Sequence, residues 1–135
     1  MKIFELAQTS STPYFLLDFN NGYILYKGRF IPDIEPSEFI KPLRYAIIEY
    51  ANSPMSETII EVYYEYVNTG NLYTLLDFFK LIKKIEQTGS KLVCLWHYDD
   101  PLDEDSIDMC EQVSNYSGLE FHLIDDSKHV DSGSV

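Results

Sequence analysis

From Ser37 onward two hydrophobic periods alternate along the chain, and that alternation leaves few folds open. Phe39, Leu43, Ala46, Ile47 and Tyr50 recur at helical spacing, which lines them up on one face of an α-helix. Thr58 to Tyr66 is β-branched and aromatic and reads as a central strand. From Thr69 to about Thr88 the helical spacing returns, with Leu72, Leu75, Leu76, Phe79 and Ile82 facing a core and Gly89 as the stop. Lys91 to Tyr98 is a near-continuous apolar run, the pattern of a strand buried on both faces of a parallel sheet. Ser106 to Tyr116 predicts a short third helix with Ile107, Cys110 and Val113 inward, and Leu119 to Ile124 a last strand. Helices alternating with strands require right-handed crossovers and a mostly parallel sheet.

The first part of the chain differs. Lys2 to Ala7 predicts a short edge strand. Thr12 to Phe19 and Tyr23 to Arg29 are two extended runs joined by Asn20-Asn21-Gly22, a β-hairpin signal. Gly28 predicts a bend or bulge at the end of the second run. Pro42 falls inside the first helical stretch, so either its first turn is irregular or the regular helix starts near Pro42. The expected fold is α/β: a small mixed sheet, antiparallel at the N-terminal hairpin and parallel in the βαβ units after it, covered by helices. One domain is expected over residues 1–124, with a flexible tail over 125–135.

Composition narrows the function. At 135 residues and 45% hydrophobic content the chain can bury a real core. A net charge of −12 argues against nucleic acid and against an anionic membrane surface as partners. Basic protein surfaces, metal ions and cationic ligands stay open. The cysteines, Cys94 and Cys110, suggest no disulfide framework, which fits a reducing compartment. No signal-peptide layout and no bilayer-length apolar run is visible, so a cytoplasmic location is expected.

Catalytic signatures are missing from the sequence: no H-E-x-x-H helix, C-x-x-C pair, nucleophile elbow, P-loop or G-x-G-x-x-G. His97 and His122 fall in predicted strands and His129 in the tail. Cys94 and His97 are three apart on a strand and face opposite sides, so they do not pair as ligands. Asp99, Asp100, Asp103, Glu104, Asp105 and Asp108 offer oxygen ligands for a divalent cation, but without EF-hand spacing, and a solvated loop is the simpler reading. No catalytic residue, metal ligand or cofactor is assigned, and a metal-dependent enzyme is the weakest alternative.

Two features could carry an interaction. Thr69, between Asn68 and Gly70-Asn71, stands where a strand gives way to a helix. Its hydroxyl can cap the helix, and a phosphate on it would meet free backbone N–H groups and the positive end of the helix dipole. Phe78, Leu81 and Ile85 form a second apolar stripe on that helix. Burial under neighbouring loops, an oligomer contact such as a homodimer or scaffold, or a partner-binding groove would each explain it.

Several motifs then fall into one order: Thr12-Pro13-Tyr14-Phe15, Gly28-Arg29-Phe30-Ile31-Pro32-Asp33, Glu38-Phe39-Ile40-Lys41-Pro42-Leu43, Glu65-Tyr66-Val67-Asn68-Thr69, and Trp96-His97-Tyr98 before the acidic loop. The ordered set resembles the SiaC family of bacterial regulatory phosphoproteins, whose fold is similar to the STAS domains of anti-sigma-factor antagonists. The resemblance implies a non-enzymatic partner-switching protein of cyclic di-GMP signalling and biofilm control. A serine/threonine kinase of the histidine-kinase-like ATPase type would phosphorylate it and a PP2C-type phosphatase would reverse this. The unphosphorylated form would bind and activate a diguanylate cyclase; another partner, as for an anti-sigma-factor antagonist, is the alternative. The family's phosphoacceptor is the threonine of its Tyr-x-Asn-Thr motif, here Thr69. The chain departs from the family pattern at Gly70-Asn71, where small hydroxyl residues are usual, at Phe30 in place of serine, and at Tyr45-Ala46, near which a tryptophan is usual.

Overall fold

The computed structural model describes residues 2–127. Its strands are β1 (Ile3–Leu6), β2 (Tyr14–Asp18), β3 (Tyr23–Phe30), β4 (Glu57–Val67), β5 (Lys91–Tyr98) and β6 (Phe121–Asp125), and its helices α1 (Pro36–Asn52), α2 (Leu72–Lys83) and α3 (Glu104–Ser117). The six strands form one sheet in sequence order. β2 pairs antiparallel with β1 on one side and β3 on the other, while β3 through β6 run parallel. The expected mixed α/β architecture is the observed one. The tail predicted from residue 125 begins within β6 at Asp125, and residues 128–135 lie outside the described residues.

The helices share one side of the sheet. Phe15, Tyr26, Val62 and Trp96 are paired across four strands in register, so their side chains project from one face. Phe15 meets Phe78 of α2 edge-on at 5.5 Å, Tyr26 meets Phe79 at 5.9 Å, and Trp96 donates its indole N–H to Ser106 of α3 at 3.1 Å. Phe30 packs on Phe39 of α1 at 5.8 Å. Tyr50 of α1 hydrogen-bonds Thr58 at 2.7 Å, and Thr58 in turn Ser90 at 2.6 Å, joining the end of α1 to the start of β4 and β5. The opposite face carries Tyr14, Leu25, Lys27, Tyr63, Leu95 and His97, partly or fully open to solvent. β5 is therefore covered on one face only, and the expected double burial is corrected. An apolar run identifies a strand, but not how many of its faces a helix will cover.

Glycine sets two local features. Gly22 closes the β2–β3 turn at φ 63°, and a Cβ there would come within 2.5 Å of the Glu57 carbonyl oxygen. Gly28 adopts φ 123°, and the β3–β4 register shifts between Gly28 and Arg29, which is the predicted bulge. α1 opens with Pro36 in its first turn and runs through Pro42 without a break. Its N-terminal turn is closed by the Glu38 and Phe39 N–H groups donating to the Glu35 carbonyl. The second helical stretch is three pieces rather than one: a 3-10 turn (Thr69–Asn71), α2, and a 3-10 segment (Lys84–Thr88) that ends at Gly89.

Candidate functional site

The Thr69 junction is built by the end of β4 and the start of α2. Asn68 is the residue before the turn, with extended φ/ψ of −85° and 164°. Its carbonyl accepts from the Asn71 N–H at 3.1 Å, and its side-chain oxygen accepts from the Asn71 side-chain amide. The buried Asn71 thus locks the turn from inside. The Leu72 N–H donates to the Thr69 carbonyl. Thr69 itself is exposed, and its hydroxyl makes no hydrogen bond among the described residues. The expected Thr69 cap is therefore corrected: Thr69 sits inside the first turn, one place too late to cap it. Gly70 is exposed, and a Cβ there would meet nothing within 4 Å.

Thr69 forms one wall of a groove of about 270 Å³ whose other walls include Tyr66, Leu72, Asp105, Asp108 and Met109. Its lining contains no lysine or arginine. A phosphate on Thr69 would share this groove with two α3 carboxylates, whose repulsion works against the attraction of the helix dipole. The sequence places Asp105 in the acidic loop and Asp108 in the third helix, with both in the acidic run that offers oxygen ligands to a cation. Both belong to α3, which starts two residues earlier than expected, and their i, i+3 spacing puts them together in the lining of the Thr69 groove. The preceding aspartates serve the backbone: Asp100 accepts from the Leu102 N–H at 2.9 Å, and Asp103 caps α3 by accepting from the Ser106 N–H at 3.1 Å. Among the described residues no group of three histidine, cysteine or acidic side chains converges on a metal position.

Phe78, Leu81 and Ile85 do not form an exposed stripe. Phe78 is 1% exposed and Ile85 0%, and both are core residues, while Leu81 is half-buried against that core. The partner surface or oligomer contact suggested for them is corrected to interior packing. α2 lies between the sheet, α1 and α3, so an apolar arc much wider than one stripe is covered.

A larger cavity, about 830 Å³, opens beside the carboxyl ends of the parallel strands and is lined by Lys27, Arg29, Tyr63, His97 and Asp126 among others. Tyr63 stacks on the His97 ring with centroids 4.1 Å apart. His97 Nδ1 lies 2.9 Å from an Asp126 carboxylate oxygen, and Nε2 lies 3.7 Å from Glu61. Glu61 also accepts from the Tyr23 hydroxyl at 2.6 Å. Burial, and then that bond, push the Tyr23 phenol well above the ordinary tyrosine range. Ser106 also lines this cavity, but its oxygen accepts from Trp96. Burial drives both thiols, Cys94 and Cys110, up to about 12, so neither is an activated nucleophile.

The model of the SiaC family regulatory phosphoproteins matches residues 6–126 of the chain. No protein of curated function matches it. The fold superposes on apo-SiaC from Pseudomonas aeruginosa with a TM-score of 0.76 at 19% identity, covering 91% of this chain and 98% of that one. A second structure of SiaC from the same organism aligns with a TM-score of 0.74 at 19% identity, covering 92% of this chain and 100% of that one. A chain in the crystal structure of the diguanylate cyclase SiaD in complex with its activator SiaC, again from Pseudomonas aeruginosa, aligns with a TM-score of 0.76 at 19% identity, covering 89% and 97%. At this identity the structural likeness speaks for the fold.

Proposed function

Because this chain belongs to the SiaC family of regulatory phosphoproteins, we propose that it is a non-enzymatic, cytoplasmic partner switch whose phosphoacceptor is Thr69. In this reading a kinase of the histidine-kinase-like ATPase type adds the phosphate and a PP2C-type phosphatase removes it. The unphosphorylated chain binds and activates a diguanylate cyclase. The observation that carries the reading is the state of Thr69: an exposed hydroxyl with no hydrogen bond among the described residues, held at a strand-to-helix junction by Asn68 and Asn71. A kinase can reach it without unfolding the turn. The family match and a fold shared with a SiaC that activates a cyclase support the choice of partner. Asn68, Gly70 and Asn71 complete the phosphosite loop, with Asn71 holding its shape.

The phosphate adds about −1.5 to −2 charges at neutral pH. Any partner surface pressed against Thr69 must then desolvate a dianion or answer it with a cation, and binding weakens by several kcal/mol if it does neither. The test is incubation of the chain with the cognate kinase and Mg-ATP, followed by phosphosite mapping. Label on Thr69 and none on Thr69→Ala is expected, with Thr69→Ala still binding the cyclase. Label elsewhere, or a cyclase stimulated equally by both forms of the wild-type chain, would overturn the assignment.

A further inference from the structure

One groove of the helix layer departs from the acidic character of the chain. Lys41, Arg44, Tyr45 and Ile48 follow one another at i, i+3, i+4 and i+7 along α1, a spacing that stacks them in one stripe. With Ile40 and Thr74 they line a groove of about 410 Å³ between α1 and α2. Tyr45 is 62% exposed and Ile48 45%. Just beyond Thr74, Tyr73 of α2 is 67% exposed. Neither Lys41 nor Arg44 forms an ion pair among the described residues. The one carboxylate in the lining, Asp77, accepts a hydrogen bond from the Tyr116 hydroxyl. Two unpaired cations beside exposed tyrosine and isoleucine, on a chain of net charge −12, form a site of inverted charge.

Both helices that border the groove begin at the Thr69 end of the molecule. α1 and α2 each follow a strand of the parallel pair β3 and β4, so both begin beside the carboxyl ends of those strands. Thr74 lies five residues after Thr69, about 8 Å along the helix axis. That axial step is comparable to the screening length of about 8 Å at physiological ionic strength, so a phosphate on Thr69 acts on an occupant that reaches past Thr74 towards the start of α2.

The sign of the switch then selects the side. The neighbouring groove against α3 presents Asp105 and Asp108 and no cation. A basic partner seated there would be drawn closer by phosphorylation. Release on phosphorylation excludes a partner that is basic near Thr69, and the groove's own cations, Lys41 and Arg44, favour one that is acidic. We propose that the α1–α2 groove binds an amphipathic helix of the output partner, with apolar side chains over Ile40, Tyr45 and Ile48 and carboxylates on Lys41 and Arg44. A helix laid in a groove between two helices is a common recognition mode, and tyrosine and arginine are favoured anchors. The proposal rests on the reading of the chain as a phosphate-controlled activator of a cyclase.

The test is titration of the full chain into the diguanylate cyclase of the same organism, with Lys41→Glu/Arg44→Glu as the groove variant. Lys84→Glu/Lys91→Glu is the control, because it changes net charge equally at exposed positions far from Thr69. Thermal unfolding of each variant confirms that it is folded. Groove reversal should weaken binding about tenfold or more and flatten its salt dependence, while the control binds as wild type does. Equal binding by all three, or equal loss in both variants, overturns the groove and leaves the cyclase reading standing. Failure of the wild-type chain to bind overturns the cyclase reading and the proposed occupant together.

Discussion

At the scale of single residues, the Thr69 loop separates shape from chemistry. Asn68 and Asn71 hold the turn through a backbone bond and a side-chain bond, leaving the Thr69 hydroxyl unused. The space around Gly70 is open, so the missing hydroxyl residue is not excluded by packing. Gly70→Ser should keep unfolding stability within about 0.5 kcal/mol of wild type, measured by denaturant titration; a loss of several kcal/mol would mean that the loop is tighter than its geometry indicates. The position of Thr69 at a strand-to-helix joint was legible in the sequence because Asn and Gly punctuate two different periods. Its bonding was not. Whether Asn68 or Thr69 precedes the first turn depends on a shift of one residue, which spacing does not resolve. The nearness of Asp105 and Asp108 to Thr69 was not legible either, because it comes from a contact between elements far apart in the chain.

At the scale of elements, periodicity located nearly every helix and strand, since each buries one side against a single sheet. The second stripe on α2 was the exception. Phe78 and Ile85 look surplus when only one face of a helix is expected to be buried, yet α2 is flanked by α1 and α3 as well as the sheet. Ile85→Ala should therefore cost about 2–5 kcal/mol, with Leu81→Ala costing less than about 2 kcal/mol. Comparable and negligible losses for both would restore the stripe to the surface. Pro42 offers a second check. It is exposed, and it removes one intrahelical bond from α1. Pro42→Ala should raise stability by about 1–3 kcal/mol, read from the denaturation midpoint, and a decrease would show that the proline is needed to shape the first turns.

For the whole molecule, the one-sided sheet explains how charge and burial are distributed. The helix side holds the aromatic core and the Thr69 junction, while the open side keeps tyrosines, carboxylates and His97 in mutual contact. Tyr23 and the fully buried Tyr26 are held neutral by desolvation, with Glu61 adding to the effect on Tyr23. Both phenols titrate higher in the folded chain than in the unfolded one. Their contribution is complete below pH about 10 and is lost as pH rises past that value, because the native state then binds more protons. Tyrosinate absorbance should lag behind the exposed tyrosines until the chain unfolds in alkali. Early, complete titration would contradict their burial.

Thr69 connects these scales, since one exposed hydroxyl at a helix entrance is held to govern docking along the helix layer. The most direct measurement is the affinity of the cyclase for the chain carrying phosphate on Thr69, beside the unmodified chain, in one buffer. The account predicts binding at least about tenfold weaker after phosphorylation, with the fold unchanged by circular dichroism. Equal or tighter binding of the phosphorylated chain would contradict it.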